Sequence, residues 1–236
     1  MALTGFDPSV VTSSINSVKS AYEDLIKALG DDMQNQFVGG MQDKWACNDA
    51  KNFFANAFKP AIDSLISSSN TIFESVVTSM NSAGNAWAAQ TESTYSGPTF
   101  ASRTKTMDIS GIQENIGGVR GIDLASANPV AAKLTTIASS VQSALTNAQT
   151  AVSNCGFMEG SQATNLINSL TTIKNKIDSA TTEITSQSKA AINNTVDRYS
   201  NTEGKISQAF SAGGGGSASQ GGGTGALGGG TGGHFR

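Results

Sequence analysis

Apolar residues recur along this chain in four long stretches, each at helical spacing. The first runs Val11, Ile15, Val18, Tyr22, Leu25 and Leu29, a 4-3-4-3-4 rhythm that sets all six on one helix face as a coiled-coil-like seam. Asp7 stands where a cap belongs, and Pro8 takes the first helical position, where a missing N–H costs nothing. The rhythm fades at "VGGMQDKWACND", whose glycines and Asn-Asp pair predict a turn, with a second helix starting near Asn48 or Asp49. That helix carries Phe54, Phe58, Ala61 and Leu65, then Ile72, Val76, Met80 and Trp87. Pro60 lies inside it and predicts a kink or a restart, and Gly97 and Pro98 stop it.

Residues 97–127 break the period and read as a connector, with room for one short helix or extended piece around Ile109 to Ile116. The pattern then repeats. Asn128 and Pro129 supply a cap and first turn for a third helix with Val130, Leu134, Ile137, Val141, Leu145, Ala148 and Val152. After "SNCGFMEGS", Ser161 caps a fourth helix with Leu166, Leu170, Ile173, Ile177, Ala180 and Ile184, again 4-3-4-3-4. The expected fold is all-α: a four-helix bundle made of two long helical hairpins in tandem, 1–96 and 128–212, followed by a disordered Gly-rich tail at 213–236. The fourth helix is longer than the third, so its end should overhang by roughly 30 Å at 1.5 Å per residue.

Of the 236 residues, 14% are charged and 6% aromatic, with a net charge of −3, and no Lys/Arg run forms a patch. Nucleic-acid binding is therefore not expected, since the cations that would neutralise phosphates are missing. The N-terminus "MALTGFDPSV" has neither the charged nor the apolar segment of a signal peptide, and no apolar run approaches the roughly twenty residues that span a bilayer. The single histidine, His234, sits in the tail, so neither a Cys/His metal site nor a His-dependent catalytic arrangement is expected. No cofactor is implied, and the chain reads as a binding protein, not an enzyme.

Chemistry concentrates in one place. Tyr199, Glu203, Ile206 and Phe210 fall at offsets of zero, four, seven and eleven, one stripe on the overhanging end of the fourth helix. The bland alternative is that Tyr199, Ile206 and Phe210 continue the bundle core with Glu203 at its edge. Asn193-Asn194-Thr195 matches a glycosylation acceptor and is read as chance.

The two turns add Trp45-Ala46-Cys47 and Met158-Glu159-Gly160 at equivalent positions. Together with the stripe, they resemble the WXG family of type VII secretion substrates, helical hairpins with a Trp-x-Gly turn and a Tyr-x-x-x-Asp/Glu export signal. Cys47 stands where the family has glycine and Met158 where it has tryptophan, while Tyr199, Glu203, Ile206 and Phe210 fill the extended signal. The resemblance implies a protein secreted without a signal peptide, whose last helix docks on the export ATPase or a cognate secretion partner. It also implies that the hairpins pair within one chain as a monomer. Antiparallel pairing, as in family dimers, would hold Cys47 and Cys155 at opposite ends as reduced thiols; parallel pairing would let them bond. Trp45 is expected to anchor its turn, partly exposed at the hairpin tip and open to the secretion machinery. Two other classes remain: a filament, virion or flagellin-like structural protein, and an effector whose amphipathic helices contact a membrane after export.

Overall fold

A computed structural model describes residues 7–155 and 161–213, the side chains of 161–162 and 210–213 excepted. The chain is mostly helical, an all-α protein with two residues in each of two short strands. Helix α1 spans Pro8–Ile26 and opens as the sequence predicts, with Asp7 Oδ1 accepting from the Ser9 amide at 2.8 Å. It continues as a π-helical winding over Lys27–Val38 and a last turn, α2, at Gly39–Met41. Strand β1 (Trp45–Ala46) and helix α3 (Asn48–Phe53) follow. A second π-helical winding covers Phe54–Phe58, and helix α4 then runs Lys59–Gln90. Pro60 lies at the start of α4, so the chain restarts there after a π-helical turn. Strand β2 (Gly121–Ile122), α5 (Leu124–Ser153) and α6 (Ser161–Gly213) complete the fold.

Both π-helical windings have a cause in the sequence. Leu29, Met33, Phe37 and Met41 are spaced by four, as are Ala50, Phe54, Phe58 and Ile62, and all eight are fully buried. A spacing of four exceeds the 3.6-residue α period, so a strict α-helix would rotate such residues off the core; the wider i→i+5 winding keeps them facing it. The third helix also departs from expectation. It begins at Leu124, not at Asn128, because Asp123 caps it through the Ser126 amide (3.3 Å) and hydroxyl (2.6 Å). Pro129 therefore lies inside α5, where it deprives the Ala125 carbonyl of its usual intrahelical donor. The buried Ala127 holds that added turn against the core.

α1 packs on α4 and α5, and α6 packs on α4 and α5. α1 and α5 run antiparallel: Ser9 and Ser13 share a surface groove with Thr150 and Asn154, whereas at the other end a Cβ on Gly40 would lie 2.7 Å from Val130 Cγ1. β2, just before α5, pairs antiparallel with β1, Trp45 opposite Ile122. The Trp45 turn thus sits at the start of α5 and Cys155 just beyond its end, about 45 Å away at 1.5 Å per residue. Neither cysteine is in a disulfide, and both are buried.

The long link from α4 to α5 is an extended strap along α1 and α4. The helix ends where Glu92 turns left-handed (φ 51°). From there the strap ascends α1 and descends α4. Asn81 donates to the Pro98 carbonyl, Asn70 to the Arg103 carbonyl, and Lys59 to the Met107 carbonyl. Asp63 accepts from the Met107 amide, and Gln34 bonds both the N–H and the C=O of Asp108. Met107 and Ile112 are buried, and neither lies in a helix or strand.

Tyr22 is the central tie: its hydroxyl accepts from the Arg103 amide at 2.6 Å and donates to Asn70 at 2.7 Å, with Phe100 edge-on at 4.7 Å. Tyr22→Phe is expected to lower stability by about 1–2 kcal/mol in urea unfolding at neutral pH. Burial raises the phenols of Tyr22 and Tyr95 above their ordinary 10.0. The folded state therefore holds those protons more tightly than the unfolded chain. Their contribution is whole below pH 10.0 and is lost as pH climbs through the raised folded values, so Tyr22→Phe should shallow the alkaline fall in stability.

Candidate functional site: the Trp45 turn and the end of α6

The described parts of both sequence motifs meet at one end of the molecule. Trp45 is 0% exposed. Its ring stacks on Phe53 (5.9 Å, 29° between planes) and meets Phe54 edge-on at 6.1 Å. Its indole N–H donates to Thr195 Oγ1 of α6 at 3.3 Å. This corrects the expectation of a partly exposed tip: the β1–β2 pairing turns the residue inward, and α6 supplies the partner that a buried indole N–H needs. Trp45 anchors the turn, and its side chain is closed to any other protein in this state.

Cys47 lies beside it, with Sγ 3.8 Å from the same Thr195 hydroxyl. Thr195 also faces Asp49 Oδ2 at 3.3 Å and donates to the Ala191 carbonyl at 2.9 Å, while Arg198 pairs with Asp49 Oδ1 at 2.8 Å. These bonds fasten α6 to the first turn. Thr195, Asp49 and Arg198 were not picked out by sequence spacing. The one hint was the Asn193-Asn194-Thr195 match, and Thr195 is fully buried.

Tyr199 stands one turn beyond Thr195, on the rim of this cluster and 38% exposed. Burial raises its phenol above the ordinary value; Cys47 and Asp49 push the same way, and Arg198 and Arg120 oppose. Beyond it α6 leaves the rest of the protein. Gln149–Thr171 and Gln142–Asp178 contacts fix α5 and α6 as antiparallel neighbours, and extending that register sets the start of α5 level with Val196. The helix runs on to Gly213, about 25 Å further at 1.5 Å per residue. Glu203 is exposed, Ile206 is 51% exposed, and a Cβ on Gly204 would meet nothing within 4 Å. Over 199–206 the stripe is an outer surface, not a continued seam. The Phe210 side chain, Met158 and Gly160 lie outside the described residues.

Near this rim, Ile116 and Val119 are also exposed (39% and 64%) on a tight turn whose Gly117 and Gly118 adopt φ of +59° and +86°. Among the described residues, no group of three or more His, Cys, Asp or Glu side chains could hold a metal. Nor is any of the described helices long and apolar enough to cross a membrane. What the fold and site define is an all-α protein with a bonded turn-to-helix junction and an uncovered helix end beyond it. No protein-family model, curated protein or solved structure matches the chain.

Proposed function

We propose that this protein is a helical-bundle substrate of a type VII secretion system, with the end of α6 as its export signal. In this reading the four long helices form a four-helix bundle of two hairpins in tandem, which pair within one chain and leave the protein a monomer. The export ATPase or a cognate secretion partner receives α6 in an apolar groove. Tyr199, Ile206 and Phe210 are the anchors, and Glu203 is the orienting charge. The protein binds; it does not catalyse. The supporting observation is the exposure of Tyr199, Glu203 and Ile206 on a helix end that extends past α5. Exposed apolar groups at helical spacing, on a segment that adds nothing to the core, fit a docking role better than a packing one.

The test is the ratio of protein in culture supernatant to protein in lysate for wild type, Tyr199→Ala and Glu203→Ala, with circular dichroism melts of each. Loss of export by about tenfold or more at unchanged melting is expected, since one change removes an anchor and the other the orienting charge, each worth upward of about 1.4 kcal/mol of docking. Wild-type export of both variants would overturn the reading. A filament-forming protein would instead appear as large particles in light scattering of the wild type.

A further inference from the structure

We propose that the part of α6 from Thr181 onward opens from the bundle as a separate unit, with the Thr195 cluster as its latch. This inference is independent of the export reading. The inner face of α6 changes character along its length. Through Ile177 its buried residues are Leu166, Leu170, Ile173 and Ile177, all large and apolar. From there on, Thr181, Ser188 and Thr195 take buried positions at intervals of seven, with Ile184 and Ile192 between them.

Each hydroxyl takes a place that an apolar side chain could fill at the seam, and those of Thr181 and Ser188 make no bond across it. Thr181 Oγ1 bonds only back to its own helix, at the Ile177 carbonyl, 2.7 Å away. Ser188 Oγ is fully buried with no hydrogen-bond partner, a desolvation cost that opening relieves. Thr195 alone reaches across, to Trp45, Cys47 and Asp49. Segments with few buried apolar contacts open at lower free energy than the rest of a fold. Here such a segment is closed by one polar cluster at its far end. Its opening uncovers Trp45 and Phe53 on the first turn, while Tyr199 and Ile206 move away with α6. The device switches the molecule between a closed aromatic cluster and an open one at a single end.

Hydrogen exchange of the full-length protein, followed by mass spectrometry on peptides covering 163–177, 182–198 and 131–152, tests this. The 182–198 amides are expected to exchange about a hundredfold faster than those of the other two peptides. Ser188→Ala should slow the 182–198 amides by roughly fivefold, because the stranded hydroxyl is gone. Thr195→Val should speed them by about tenfold, because it removes the latch at nearly constant volume. Alkylation of Cys47 should follow the 182–198 exchange rate in each variant. Exchange of 182–198 in step with 163–177 in the wild type would overturn the proposal, and that comparison depends on no variant's folding.

Discussion

Trp45→Ala is expected to destabilise the protein by about 3–5 kcal/mol, read as a lowered urea midpoint at constant slope. The indole is fully buried, and the alanine would leave a cavity lined by Phe53 and Phe54. The two strands are only two residues long, so the side chain, not the ladder, holds the turn against α5 and α6. Trp45→Phe should cost less, about 1–2 kcal/mol, since a ring remains against Phe53 and Thr195 keeps the Ala191 carbonyl as a partner. Equal losses in the two variants would place the energy in the N–H bond to Thr195 instead of in the packing.

Gly40→Ala should cost about 1–3 kcal/mol, with much of that recovered by adding Val130→Ala. The new Cβ would sit 2.7 and 3.1 Å from the two Val130 methyl carbons, and a β-branched side chain on a helix has little rotameric room to withdraw. Val130→Ala alone should also destabilise, having removed contacts next to a glycine. The double variant should therefore be more stable than the sum of the two losses, a coupling of about 1 kcal/mol or more. That coupling tests directly the contact of α2, the last turn of the first helical run, with the start of α5. Simple additivity would mean that the two helices do not meet there.

The parts of this fold that could be read from the chain are those where one local rule acts alone. The 4-3-4-3-4 seam that begins in α1 is buried from Val11 to Leu29, and the Asp7-Pro8 start holds. Residues 29–41 and 50–62 obeyed a different rule, a spacing of four, which an α-helical reading passes over because neighbouring apolar residues such as Val38 and Ala61 fill the expected slots. Asn128-Pro129 is a good helix start locally, but Asp123 caps one turn earlier and core packing of Ala127 decides between them. The break in period marks residues 97–127 as a connector, but the strap's course could not be read, since its bonds join Pro98, Arg103, Met107 and Asp108 to side chains far away in sequence. At the candidate site, Tyr199, Glu203 and Ile206 were legible from their spacing. The inward turn of Trp45 was not, because its partner Thr195 is 150 residues away.

Ile206→Asp separates docking from packing more cleanly than any other change in the stripe. Ile206 is half exposed, on a helix end that extends past α5. A charge there costs the fold little and cannot enter an apolar groove. The decisive measurement is the supernatant-to-lysate ratio of Ile206→Asp against wild type in a secreting host, with thermal melts of both proteins. An export loss of about tenfold or more with the melting temperature unchanged is expected. Export at the wild-type level would rule out α6 docking through this stripe.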